Sequence, residues 1–415
     1  MNILIIGAGG REHAIASTLV KNKKINKIYL SKHNGGVSGN IINAEINHDD
    51  FKAVETFIKE NNIELTIVGL ENPLNNGIVD YLEDLGYKVF GPRKNAAILE
   101  GSKKFAKDFM KKYGINTAKY SHFNTYEKAL ASIEEFGFPT VIKANGLCQG
   151  KGVYICENEE EAKVALTEIF LDKIFKDQGG SVVIEQYLRG FEASLLCFVS
   201  GNKIYPFDTA MDYKKIYEEN LGPNTGGVGA ISPNPLWNET HQAQSNIIIS
   251  KIEEGLKGEN MSFSGILFIG YLIQDGKVFV LEFNTRFGDP ETEVLLPRLK
   301  SDLLDNIEQS IRREPVLLSF EKNTSMATIL VSQGYPKAYK KGFEIYGLNN
   351  LDDIIVYHNG TKRLGDKIYS DGGRVLSIVY VTDSLEESRN NVYKAIKEIN
   401  FENMSYRSDI GDIQC

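Results

Sequence analysis

Short apolar runs alternate with helix signals through the first hundred residues. In order they are Ile3-Leu4-Ile5-Ile6, a glycine turn, a helix from about Glu12, the strand Lys27 to Leu30, a helix from about Asp49, and the strand Leu65 to Val68. A helix between two strands returns the chain to the same end of a sheet, so this order predicts parallel, doubly wound α/β structure. The first turn reads Gly7-Ala8-Gly9-Gly10-Arg11-Glu12-His13. A dinucleotide fingerprint would need glycine where Glu12 stands and an acid after the second strand, where Ser31-Lys32-His33 stands, so nicotinamide binding is disfavoured. Gly9, Gly10 and Arg11 are instead expected to make an anion site from backbone N–H groups and a guanidinium, the alternative being a tight turn with a surface arginine. Glu71 follows the third strand at the carboxyl edge of the sheet, where it is either a ligand contact or an acid at a helix start.

The Gly91-Pro92 break and the helix signal beginning at Ser102 set a boundary near residue 100. We expect three units: residues 1–100, a core at 101–325 with a lid at about 120–190, and a small appended α+β domain at 326–415. A chain of 415 residues has ample length for such a core. Its net charge of -8 argues against nucleic-acid or anionic-membrane partners, so any phosphate site has to be built locally. The cysteines Cys148, Cys156, Cys197 and Cys415 show no paired spacing, no signal peptide is apparent, and no apolar run approaches the roughly 18 residues of a membrane span. The expectation is a soluble cytoplasmic protein.

The middle of the chain carries two polar, glycine-rich stretches. Strand Thr140 to Lys143 and strand Val153 to Ile155 flank Ala144 to Gly152, which has the wrong glycine spacing for a Walker loop and lies between two strands. It reads as a flap closing over phosphates, with Lys143 and Lys151 as ligands, or else as a mobile turn. The strand ending at Glu185 runs into Gln186, Tyr187 and Leu188, a connector with backbone groups for an adenine edge, and Glu192 follows as a candidate for ribose hydroxyls. The segment Gly222 to Gly229, including Asn224, Thr225 and Gly226, reads as a long binding loop. Further on, Ile266 to Ile273, the turn Asp275-Gly276 and Val278 to Leu281 predict an antiparallel hairpin. Glu282 and Asn284 sit at its exit, two apart and therefore on one face, an oxygen pair suited to Mg2+. Arg286, Asp289 and Glu291 come immediately after, so a cation stands beside a carboxylate-rich site, as phosphoryl or acyl-phosphate chemistry requires.

Taken in order, Gly-Gly-Arg-Glu-His-Ala at 9–14, Leu-Glu-Gly-Ser-Lys at 99–103, Lys-Ala-Asn-Gly-Leu at 143–147, Gly-Pro-Asn-Thr-Gly-Gly at 222–227 and Arg-Phe-Gly-Asp-Pro-Glu-Thr at 286–292 resemble the phosphoribosylamine-glycine ligase family of ATP-grasp enzymes. The resemblance extends through Gly-Tyr-Pro at 334–336 and Gly-Gly-Arg-Val at 372–375. It implies an ATP-grasp fold with an N-terminal pre-ATP-grasp domain and a small C-terminal domain. It also implies ligation of glycine to 5-phosphoribosylamine through glycyl phosphate, with ATP as co-substrate and Mg2+ or Mn2+. By the same resemblance Lys103, Lys143 and the loop Gly146, Gly150, Lys151 and Gly152 hold nucleotide phosphates. Glu185 to Leu188 take the adenine, Glu192 the ribose, and Glu282 and Asn284 the metal. Gly9, Gly10, Arg11, Glu71, Asn224, Thr225, Gly226, Asp289 and Glu291 form the substrate side, and Arg286, Asp212 and Lys214 are the catalytic set. Partners are small molecules only, and a monomer is expected.

The chain departs from the family at Met211-Asp212-Tyr213-Lys214-Lys215, where Gln-Asp-His-Lys-Arg is usual, at Glu293, where Gln is usual, and at Cys148 and Gln149 in the flap. Loss of an arginine there removes a bidentate donor. Two other readings stay open on the sequence: a non-catalytic nucleotide-binding protein of this fold, and a ligase using another amine or amino acid.

Overall fold

The computed structural model describes residues 1–148, 151–349 and 351–413. Its N-terminal sheet is wholly parallel, in the order β3-β2-β1-β4-β5, from β1 (Asn2–Ile6), β2 (Lys27–Leu30), β3 (Ile41–Asn43), β4 (Ile63–Val68) and β5 (Val89–Phe90). The uninterrupted run Ile3 to Ile6 suits a strand covered on both faces. Alternate side chains enter different cores, Ile3 and Ile5 packing toward the centre of the molecule and Leu4 and Ile6 toward the outer helices.

The lid sheet, in the order β6-β9-β7-β8, is antiparallel and consists of β6 (Tyr120–Phe123), β7 (Thr140–Ala144), β8 (Val153–Cys156) and β9 (Val182–Gln186). A larger antiparallel sheet forms the body, running β16-β15-β10-β11-β14-β17-β22-β19 with β23 paired to β17. Its strands are β10 (Phe191–Gly201), β11 (Lys203–Asp212), β14 (Gly229–Ser232), β15 (Phe263–Gln274), β16 (Lys277–Asn284), β17 (Thr324–Ser332), β19 (Ile355–His358), β22 (Arg374–Thr382) and β23 (Met404–Ser405). A two-stranded ribbon, β12 (Lys215–Tyr217) with β13 (Leu221–Asn224), and a small sheet of β18 (Glu344–Ile345), β20 (Thr361–Leu364) and β21 (Lys367–Ser370) complete the strands. Among the described residues no helix is long and apolar enough to cross a membrane.

Two expectations change. The main strands of the C-terminal segment are not appended as a sheet apart: β17 pairs along β14 from Ser325 to Thr328, so they extend the central sheet and cover what would be a bare edge. The stretch 222–229 is not one long loop either. Leu221–Asn224 pairs back onto Lys215–Tyr217 and Gly229 begins β14, which leaves only residues 225–228 irregular.

The central sheet and the N-terminal sheet share one core. Leu196 and Phe198 of β10 face it, whereas Leu195, Cys197 and Val199 face a second core on the other side of the sheet. At the junction Phe198 stacks on Phe207 at 5.3 Å between centroids and meets Phe90 of β5 at 5.5 Å, while Phe287 lies 6.4 Å from Phe90. Such aromatic packing welds the two sheets, and the cleft described below opens beside it. Phe198→Ala is expected to cost about 3–5 kcal/mol, read as a lower urea midpoint by circular dichroism.

Candidate active site

A cleft of about 640 Å³ runs between the lid sheet and β16 and continues to the mouth of the N-terminal sheet. At the lid end, Ser102 caps the helix Lys103–Lys112 by accepting from the Phe105 N–H, and the Asn145 side chain accepts from the Lys104 N–H at 2.8 Å, which fixes the helix start against the flap. Lys103 Nζ donates to the Gly146 carbonyl at 2.9 Å. Burial lowers its pKa. Lys143 Nζ lies 3.0 Å from the Glu185 carboxylate, which also takes Lys107 Nζ at 2.9 Å. Burial pulls Lys107 down to about 8, whereas Glu185, despite burial, is held below the usual carboxylate range by its two lysines. Lys107 also donates to Thr117 Oγ1, and Thr117 donates to the Val280 carbonyl at 2.7 Å, so the lid and β16 are tied together.

The side chain of Glu185 is thus a counter-ion to two cleft-lining lysines, Lys107 and Lys143, and does not belong to the connector. Gln186 is exposed and Tyr187 half-buried, while Leu188 packs with Ala118, Leu272, Phe279 and Leu281 into an apolar cluster. Lys151 and Gly152 line the cleft, Gly146 sits behind it, and Gly150 lies outside the described residues. Glu192 is paired to Lys214 at 2.5 Å.

The middle of the cleft is set by a β-bulge. Tyr271 pairs with Val280 and Gly270 with Glu282, so Leu281 is the extra residue. Strict alternation would put Glu282 on the face of Val278 and Val280, inside the second core; the bulge reverses parity, and Leu281, Glu282 and Asn284 all line the cleft while Phe283 packs into that core. Burial opposes it, yet Lys214, Lys143, Lys103 and Arg286 together hold Glu282 below the usual carboxylate range. Asp212 and Glu291 are pushed the other way, by burial first and then by neighbouring carboxylates, with Lys214 opposing. Ser194 Oγ donates to Glu291 at 2.9 Å. Among the described residues no group of three or more His, Cys, Asp or Glu side chains could hold a metal by itself. A low-lying carboxylate with an amide oxygen beside it fits a hard cation that takes its other ligands from phosphates and water.

At the far end Arg286 is set by Glu100: Nη2 lies 3.1 Å from Glu100 Oε1, while Glu100 Oε2 accepts from the Thr285 N–H at 2.8 Å. Glu71 lies 3.7 Å from Arg286 Nε, and Arg286, Arg11 and its own backbone keep it ionised against burial. The anion turn expected at Gly9 to Arg11 is filled from within. The Gly9 N–H donates to Glu12 Oε2 at 2.7 Å, the Gly7 N–H donates to Ser31 Oγ, and Arg11 is ion-paired to Glu12 at 2.5 Å. Glu12 packs so closely under Gly7 and Gly69 that a methyl on either would fall within 2.6 Å of it. Gly9 and Arg11 still line the cleft; Gly10 does not, being packed against Glu293 and Asn359. Asp289 pairs with Arg374 at 2.8 Å, Arg374 also donates to the Gly226 carbonyl at 2.6 Å, and Tyr335 Oη accepts from the Gly226 N–H. Thr225 bonds back to the Lys214 carbonyl, and Asn224 is half-buried on the cleft wall.

Glu12, Glu100, Lys107, Tyr335 and Arg374 are therefore part of the site and were not assigned from the sequence. Lys103 and Lys107 lie four apart on the helix that Ser102 caps, which is a legible signal, whereas Glu100 lies in the last turn of the preceding helix. Tyr335 and Arg374 stand in the quoted motifs at 334–336 and 372–375, but nothing in those motifs assigns them to the cleft until the C-terminal strands are seen to reach it.

Comparison with known proteins agrees with this architecture. Residues 1–100, 101–292 and 325–413 match the N domain, the ATP-grasp (A) domain and the C domain of phosphoribosylglycinamide synthetase. A phosphoribosylamine-glycine ligase of Caldanaerobacter subterraneus is 43% identical over 99% of both chains, and one of Fusobacterium nucleatum is 42% identical over 100% of this chain and 99% of its own. A crystal structure of phosphoribosylamine-glycine ligase from Thermotoga maritima superposes with a TM-score of 0.87 at 30% identity, covering 99% of this chain and 100% of that one. The biotin carboxylase domain of a Hydrogenobacter thermophilus 2-oxoglutarate carboxylase, at 16% identity and a TM-score of 0.74, shares the fold. On three domain matches that together cover most of the chain and on full-length identity above 40%, this protein belongs to the phosphoribosylglycinamide synthetase family.

Proposed function

We propose that the protein joins glycine to 5-phosphoribosylamine, cleaving ATP to ADP and phosphate and giving glycinamide ribonucleotide for purine synthesis, and that it acts as a cytosolic monomer. The observation that carries this reading is one continuous cleft with a lysine-lined lid and an apolar cluster at one end, Glu282 and Asn284 in the middle, and the Arg286 and Arg374 ion pairs at the other. Glycine carboxylate is a poor electrophile. In the first step its oxygen attacks the γ-phosphorus of ATP, the bond to ADP breaks, and glycyl phosphate forms.

Lys103 and Lys143, which line the cleft, are the candidates for taking phosphate oxygens. Because Glu185 is shared between Lys107 and Lys143, Lys143 can turn its charge to the nucleotide while Lys107 keeps the carboxylate satisfied. Glu282 and Asn284 would hold Mg2+ or Mn2+, which when bound neutralises phosphate charge. Arg286, steadied by Glu100, is the candidate for holding the glycine carboxylate and then the acyl phosphate.

In the second step the amine nitrogen of phosphoribosylamine attacks the acyl carbon, phosphate leaves, and the nitrogen sheds a proton. Asp212, whose pKa burial has raised, is the candidate acceptor. Closure of the flap over the nucleotide would keep water from the acyl phosphate.

Phosphate release should require glycine and phosphoribosylamine together. Release that ignores glycine removes the proposal, and nucleotide binding by calorimetry without turnover favours a binding protein. Glu282→Ala and Asn284→Ala are expected to lower kcat by about a hundredfold with little change in melting temperature; full activity in either variant would withdraw it from the metal site. Lys107→Met, which leaves Glu185 with one lysine and frees Thr117, should raise KM for ATP by about tenfold or more, measured by steady-state kinetics at saturating glycine.

A further inference from the structure

Glu293 lies on the helix Glu291–Leu295, fully buried, and neither of its carboxylate oxygens accepts a hydrogen bond among the described residues. The side-chain oxygen of Asn359, between β19 and β20, has no donor either, its amide nitrogen being given to Ser377 Oγ at 2.8 Å. Both oxygens crowd the same side of Gly10: a methyl placed there would meet Asn359 Oδ1 at 2.0 Å and Glu293 Oε1 at 2.6 Å. Two acceptors facing one tight space repel unless a proton lies between them. An ionised carboxylate out of water and without donors is among the costliest groups a protein can bury. Turning the Asn359 amide round would supply one of the two carboxylate oxygens and leave the other bare.

The surrounding charges add to the difficulty. Asp289 faces Glu293 from the preceding loop and Glu291 from its own helix, with Asp212 of β11 beyond Glu291. Arg374 of β22 is the nearby cation, but through Nη1 it pairs with Asp289 and donates to the carbonyls of Gly226 and Gly227, and it makes no hydrogen bond to Glu293. Tyr357 approaches from β19, with His13 of the helix Gly10–Leu19 against its ring at 5.7 Å, and Arg298 at the far end of the helix is taken by Asp208. Gly10 itself brings no donor side chain.

We propose that Glu293 is a neutral carboxylic acid in the folded protein, that it gives its proton to the Asn359 amide oxygen, and that this bond is a positioning contact holding the helix Glu291–Leu295 against the C-terminal strands behind the Asp289–Arg374 pair. Burial and then Asp289 drive its pKa upward, in keeping with that state. The bond locks Asp289 and Glu291, at the start of the helix, into the geometry that closes the substrate end of the cleft. Ionisation would break it and set a second carboxylate competing for Arg374. This positioning role rests on the function proposed above; the protonation itself does not.

Three measurements on the full chain test it, comparing wild type with Glu293→Gln, which keeps the shape and a donor. The infrared difference spectrum at neutral pH should contain a protonated carboxyl stretch in wild type that E293Q lacks, and Asn359→Ala should move that band to higher frequency. The folded state holds a proton that the unfolded chain gives up, so this group's contribution falls as pH rises from the unfolded carboxylate range toward the folded pKa. The melting temperature of E293Q should therefore gain on wild type as pH rises above the unfolded carboxylate range. A missing band with a pH-independent melting difference overturns the proposal whether or not the enzyme assignment is right. On the alkaline side KM for phosphoribosylamine should rise about tenfold more in wild type than in E293Q with kcat for the two in step. A present band with parallel KM profiles overturns the positioning role alone.

Discussion

A carboxylate taken out of water costs several kcal/mol unless a cation or several donors meet it. The cleft of this protein is assembled from such meetings. Glu185 is answered by Lys107 and Lys143, Glu100 by Arg286, Glu12 by Arg11, Glu192 by Lys214 and Asp289 by Arg374. Each of these pairs except the Arg11–Glu12 neighbours joins residues far apart in the chain, so the pairs fix the relative position of the lid, the central sheet and the C-terminal strands. They also prepare the site for anions. A lysine whose counter-ion is shared can turn to a phosphate without leaving a bare carboxylate, and an arginine already pinned on one side offers its remaining N–H groups in a fixed direction.

Geometry of the metal-facing strand depends on one irregularity. The bulge at Leu281 turns Glu282 and Asn284 out of an apolar core and into the cleft, and the Val280 carbonyl next to it receives Thr117, which in turn receives Lys107. The oxygens suited to a cation and the lysines suited to phosphates are thereby held by one connected set of hydrogen bonds. Glycines act here by absence of a side chain: Gly7 and Gly69 leave room for the Glu12 carboxylate, and Gly10 lets Glu293 and Asn359 approach each other.

The alternation of strand and helix signals in the first hundred residues was enough to read a parallel sheet, since Ile3 to Ile6 has only one way to bury both faces. The hairpin ending at Glu282 was equally legible from Asp275-Gly276 and the flanking apolar runs. The pairing of the strands that end at Lys143 and begin at Val153 was recognisable from the two apolar runs on either side of the glycine-rich stretch. Gly9 to Arg11 left two readings open, because a run of glycines before a helix looks the same whether its N–H groups await a ligand or are already occupied. Glu12, which had counted only as a failure of a fingerprint, is the side chain that occupies them.

Local sequence, then, determined the parallel N-terminal sheet, the β16 hairpin, the strand pair around the glycine-rich stretch and the family of ordered motifs, because periodicity, turn residues and motif spacing are properties of neighbouring positions. Tertiary structure alone decided which charges meet, which face Glu282 takes, and that Arg374 and Tyr335 reach the cleft, because ion pairs, a bulge and sheet continuation from β14 to β17 depend on groups that are remote in the chain and near only in the fold.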